Sequence, residues 1–189
     1  MEISEKQLVE HIKMYKKNFS SKSKNNSYMR KIYESYCTGK VCETLDLYFS
    51  LQIPQSYGPK MEKFFIKKHG MQKVASSLDR GDFKNDNENY YEHKFSYIKE
   101  QKFNFVQIRP WQDLKGYALE VLREGSFSQF YITKKDMNRL LEKYGNMAHG
   151  TKKAVSLNIN KEYALRGNYS SDLWKDLQRL NKGKSFLSC

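Results

Sequence analysis

The chain has 189 residues, enough for one domain with a sizeable core, and its 14 tyrosines and 11 phenylalanines set it apart from a disordered, low-complexity chain. Mean hydropathy is −0.84, and no run approaches the roughly 18 apolar residues that a membrane-spanning helix needs, so no membrane segment is expected. With 34 lysines and arginines against 21 acids the net charge is +13, which favours a polyanionic partner, although a lysine-rich surface without such a partner has the same sign.

In chain order, "SEKQLVEHIKMYKKN" predicts a first helix, with Ser4 as N-cap and Leu8, Ile12 and Tyr15 at helical spacing. After the polar break "FSSKSKNNS", a second helix is predicted from about Tyr28 to Cys37, closed by Gly39. Pro54 and Pro59 bound a loop, and "KMEKFFIKKHG" predicts a short helix ended by Gly70, with Glu62 on one side and Phe64, Phe65 and Ile66 toward a core. The N-terminus has no apolar signal core, and the cysteines (Cys37, Cys42, Cys189) form no disulfide framework or zinc pattern, which fits a reducing cytoplasm.

From residue 80 the period changes. "RGDFKN" and "YYEHKFSYI" flank a turn at Asp86-Asn87-Glu88. "KFNFVQIRPW" is a strand expected to place Phe103, Phe105, Gln107 and Arg109 on one face, with Val106 and Ile108 on the other. "YALEVLR" and "SFSQFYI" are two more strands around Glu124-Gly125. "TKKDMNRLLEKYG" is a helix capped by Thr133 and stopped by Gly145. "AVSLNIN" is a further short strand, and "SSDLWKDLQRL" a last helix with Ser170 or Ser171 as cap. The expected fold is α/β, a mixed central sheet with flanking helices. It forms a single domain: a mainly helical region over 1–60, a core over 61–160, and a C-terminal helix and basic tail over 161–189.

The hairpin raises the chemical question. Glu92 and Lys94 project from one strand face, so the pair is either a solvated outer face or a site. If the loop is residues 86–88, Phe83 pairs with Tyr91 and Asp82 lies opposite Glu92, with Cβ atoms about 5 Å apart. Like charges so placed repel unless a cation neutralises them, and a hard divalent ion bridging two carboxylates does so. With Lys94 beside it, that arrangement suits metal-assisted hydrolysis of a phosphodiester.

The pattern Asp82 followed by Glu92-His93-Lys94 resembles the PD-(D/E)xK nuclease superfamily, and "SLDRGDFK", "YYEHKFSY", "FVQIRPWQ" and "AHGTKK" look like segments of small restriction-type enzymes. The proline of the superfamily motif is replaced by Arg80-Gly81. The resemblance implies a restriction-endonuclease-like core and a Mg²⁺-dependent DNA endonuclease of type II restriction type, with Mn²⁺ as a substitute ion. Asp82 and Glu92 would hold the metal, with the main-chain carbonyl of His93 as a further ligand. Lys94 would position the attacking water or stabilise the transition state, and Glu62 loosely matches a helical acid of some members. A homodimer cutting both strands of double-stranded DNA is the implied assembly. A structure-specific repair or phage nuclease, and a non-catalytic nucleic-acid-binding protein, are the alternatives.

Gln107, Arg109 and Gln112 suit the reading of base edges, since Arg grips guanine and Gln adenine bidentately; for Gln107 a buried polar pair tied to backbone is the competing reading. His149, Lys152 and Lys153 form either a DNA-contacting loop or a plain surface loop. "GNMAHGTKK" has glycines at P-loop spacing but the wrong Thr-Lys order, and "GKS" at 183–185 lacks a partner glycine, so neither is read as a phosphate loop. His93 projects opposite to Glu92 and reads as a core or groove residue.

Overall fold

The computed structural model describes residues 57–75, 80–98, 101–123, 126–147 and 162–184. The two predicted N-terminal helices, the strand at "AVSLNIN" and the loop with His149, Lys152 and Lys153 lie outside these residues.

Helix α1 spans Tyr57–Lys68. It begins before Pro59, not after it, because proline in a first turn gives up only an N–H that has no helical partner there. Gly70, at φ +65°, ends it, and Met71 N–H returns to the Ile66 carbonyl. The strands are β1 (Gln72–Lys73), β2 (Phe83–Lys84), β3 (Tyr90–Ile98), β4 (Lys102–Ile108), β5 (Gly116–Arg123) and β6 (Ser126–Thr133). Helix α2 (Lys134–Tyr144), strands β7 (Asn146–Met147) and β8 (Tyr163–Asn168), and helix α3 (Asp172–Asn181) follow.

The fold is mixed α/β, as expected, but the strands form two sheets. A five-stranded mixed sheet runs β1-β2-β3-β5-β6 and a three-stranded antiparallel sheet runs β4-β8-β7. The cause is the one parallel pair, β3 with β5. Parallel neighbours require the chain to return to its starting end, and here the return is β4 with the loop after it. Asn104 N–H donates to Ser96 Oγ at 3.0 Å, so β4 crosses one face of the first sheet and delivers its end to the beginning of β3. Strand β8, read from the sequence as part of a helical tail, pairs with β4 and fixes it there.

The large core fills the space between the sheets, with Phe103, Phe105, Tyr117, Leu119, Phe130, Tyr163, Leu165 and Trp174. Truncating one of the fully enclosed rings, such as Phe105, costs about 3–5 kcal/mol. Met137, Leu140 and Leu141 of α2 and Leu173, Trp174 and Leu177 of α3 are buried at helical spacing. The predicted caps are present: Thr133 accepts from Asp136 N–H, and Ser171, not Ser170, accepts from Trp174 N–H. Gly145 ends α2 without a left-handed turn; its φ is −64°, and a Cβ there would come within 3 Å of the Leu141 backbone. A smaller cluster of Phe65, Phe83, Tyr91, Ala118 and Tyr131 packs α1 against the other face of the sheet.

The alternation expected in β4 breaks at a bulge between Phe105 and Ile108, where Gln107 takes φ +56°. Ile108 therefore joins Phe103 and Phe105 in the core, while Val106 and Gln107 are exposed. Among the described residues no helix is long and apolar enough to cross a membrane.

Candidate active site

The hairpin has the expected register. Phe83 pairs with Tyr91 and Lys84 with Tyr90; Asp82 lies just before β2, near enough to Glu92 to act on its carboxyl. The turn fixes this locally. Asn85 Oδ1 accepts from Asn87 and Asn89 N–H at 3.1 and 3.0 Å, and the left-handed residue is Glu88, at φ +59°. Gly81, at φ +84°, then presses the chain onto β3; a Cβ there would lie 2.4 Å from the Tyr91 carbonyl oxygen. Asp82 N–H donates to that same carbonyl at 2.9 Å. Its carboxylate is aimed by a third contact: Oδ2 accepts from His93 N–H at 2.8 Å.

Glu92 and Lys94 do not form a solvated face. Glu92 is 4% exposed, and its Oε1 accepts from Lys94 Nζ at 2.5 Å. Tyr117 and Leu119 of β5 stand beside them in register, under the large core. Burial pushes the Glu92 carboxyl above the ordinary carboxylate range; the Lys94 ammonium opposes this, Asp82 adds to it, and Arg109 also opposes it. Burial likewise raises the Tyr117 hydroxyl, with Glu92 contributing. The site therefore holds a buried acid whose charge is disfavoured by burial and by Asp82, with Lys94 and Arg109 partly compensating.

Arg109 arrives at the end of β4. Its Nε donates to Glu162 Oε1 at 2.9 Å, and Tyr117 OH donates to its carbonyl at 3.4 Å. The predicted base-reading set is thus divided. Gln107 is exposed on the bulge, which overturns the buried-pair reading. Gln112 is 3% exposed, and its carbonyl anchors Lys134 Nζ at 2.7 Å, so it is enclosed in the loop and not presented to a base edge. Glu62 is engaged by Lys73 Nζ at 3.0 Å. The His93 ring is on the opposite face, with Nε2 2.8 Å from Glu120 Oε2. Glu162 and Tyr117 escaped the sequence reading. Neither belongs to a local motif, and only the pairing of β8 and of β5 brings them here.

The donor set suits a hard ion. Asp82 and Glu92 supply carboxylate oxygens. A strand residue's N–H and C=O leave on the same side, so the His93 carbonyl points toward Asp82, as its N–H does. Two carboxylates and a carbonyl, with water completing the shell, match the preference of Mg²⁺. Among the described residues no three His, Cys, Asp or Glu side chains form a metal-holding group. No protein-family model matches the chain, and no curated protein matches it significantly.

Proposed function

We propose that the chain is a Mg²⁺-dependent DNA endonuclease that hydrolyses phosphodiester bonds, of the type II restriction kind. The observation that carries this reading is the burial of Glu92 near Asp82 with Lys94 on the same strand face. A binding module needs phosphate-facing cations, and has no use for an enclosed carboxylate with a second acid beside it.

Asp82 and Glu92 would hold the cation, with the His93 carbonyl as a further ligand. The ion, when bound, polarises the phosphoryl oxygen and lowers the pKa of its water. Lys94, paired with Glu92, would orient the attacking water or neutralise charge developing on phosphorus. Asp82 is kept from turning away by the His93 N–H. Tyr117 and Leu119 form the wall behind Glu92 and Lys94 and exclude bulk water from that side. The net charge of +13 draws DNA to the protein, and exposed Gln107 remains available for contact with it. One such site cuts one strand, so a two-fold dimer suits a duplex palindrome.

Incubation with phage DNA tests this. Mg²⁺ or Mn²⁺ supports cutting, Ca²⁺ permits binding with little cutting, and EDTA abolishes cutting. Discrete bands identify a sequence-specific enzyme and a smear a nonspecific one. Intact DNA with Mg²⁺, or vigorous cleavage in excess EDTA, overturns the reading.

A further inference from the structure

Arg109 has no role in the chemistry above, yet its backbone is fixed beside the strand pair that carries Glu92. Ile108, the residue before it, is paired with Tyr163, and the Arg109 carbonyl accepts from Tyr117 OH, whose own position on β5 is opposite Glu92. Its Nε is taken by Glu162 Oε1, which leaves the two outer guanidinium nitrogens as donors. Its side chain is 32% exposed, partly desolvated but reachable. Its charge is close enough to act on Glu92. The bulge that delivers it stores strain, since Gln107 is a non-glycine residue in the left-handed region.

We propose that Arg109 grips a non-bridging oxygen of the scissile phosphate through its outer guanidinium nitrogens, and that Glu162 positions it to do so. This rests on the nuclease reading of the site. In the step, a bond forms from water oxygen to phosphorus, one phosphorus–oxygen ester bond breaks, and the water proton leaves to solvent. Arg109 stays protonated throughout and stabilises only the charge that accumulates on the phosphoryl oxygens. Arg109 is thus a catalytic residue and not a reader of base edges, while Glu162 is a positioning residue.

The test measures single-turnover cleavage of phage DNA at saturating protein with Mg²⁺, beside DNA affinity in Ca²⁺. Arg109→Ala slows cleavage about 100-fold at saturation while affinity falls less than about threefold. Arg109→Lys recovers part of the rate. Glu162→Ala costs about tenfold and Glu162→Gln, which keeps the acceptor, about threefold, and neither adds to Arg109→Ala because the two act as a unit. Millimolar guanidinium partly restores Arg109→Ala and does not restore Lys94→Ala. A folded Arg109→Ala that cuts at the wild-type rate, or whose loss lies wholly in affinity, overturns the proposal; so does a Glu162→Ala penalty that persists in the Arg109→Ala background. If Arg109→Ala fails to fold, Arg109→Lys and Glu162→Gln decide: slower cleavage at an unchanged melting temperature supports it, and unchanged cleavage overturns it. Wild-type protein that leaves DNA intact, or Lys94→Ala that cuts normally, removes the nuclease reading itself, a result distinct from any of these.

Discussion

Two faces of β3 carry buried charge within three consecutive residues, and they are built in opposite ways. On one face His93 Nε2 meets Glu120 Oε2 at 2.8 Å, Glu120 Oε1 takes a bond from Gln129, and the His93 ring lies 5.2 Å from the Phe65 ring; both side chains are at most 1% exposed. That group has its partners within the fold. On the other face Glu92 is bonded to Lys94, has a like-charged neighbour in Asp82, and burial pushes its carboxyl up. A satisfied buried network specifies packing, whereas a buried acid with a second acid beside it is costly in its charged form unless positive charge joins it. The alternation of side chains puts the two kinds of group on opposite faces of one strand.

The sharpest break of this comparison is at Lys94. Lys94→Ala is expected to lose about 10³-fold or more in cleavage while DNA affinity stays within about tenfold, since it is one cation among many. Asp82→Asn and Glu92→Gln fall as far through loss of the ion, and any two of the three together cost little more than one. Strand cleavage beside a gel shift reads both quantities.

On the closed face the loss is one of stability. His93→Ala or Glu120→Ala leaves a partner buried and uncompensated, and urea unfolding should show a cost of about 3–5 kcal/mol. The fraction of Glu120→Gln that folds should cut at near the wild-type rate, because its side chain faces away from the site. A stable Glu120→Ala would mean that the two faces are not distinct.

Gly81→Ala joins the two effects. The added Cβ meets the Tyr91 carbonyl and the left-handed φ is strained, so stability should fall by about 2 kcal/mol. Cleavage should fall further than the unfolded fraction explains, because Asp82 is displaced from Glu92. Cleavage rates normalised to folded protein separate the two.

The smallest effect is on pH. In metal-free protein the raised Glu92 carboxyl makes the charged form unfavourable in the fold. Its contribution to stability therefore improves as pH falls through that raised value, the reverse of a salt-bridged acid. Mg²⁺ must displace the proton, so affinity should weaken by up to about tenfold per pH unit below that point. Calorimetry in two buffers of different ionisation enthalpy reads the released proton. Glu92→Gln should abolish that release and melt no lower than wild type in EDTA.

The local features were legible because their causes are local. The turn residues Asp86, Asn87 and Glu88 set the hairpin register, Phe83 with Tyr91 and Lys84 with Tyr90. Thr133, Gly145 and Ser171 bounded their helices for the same reason. The bulge at Gln107 had no such signal, since no glycine or asparagine marks its left-handed residue. It inverted the expected faces of Gln107 and Ile108.

Strand β8 was hidden because "YALRGN" holds alanine, leucine and arginine, good helix formers, and no β-branched residue. It is a strand because β4 offers a sheet edge beside it with which its backbone pairs. Sequence alone determined the hairpin register, Phe83 with Tyr91 and Lys84 with Tyr90, and that Glu92 and Lys94 share a strand face, because turn geometry and strand alternation act over a few residues. Whether Glu92 and Lys94 are solvated or enclosed was settled by the parallel β3–β5 pair. That pairing forces the chain back across the sheet and lays the core over one face of β3, while the pairing of β4 with β8 brings Arg109 and Glu162, 53 positions apart, into contact.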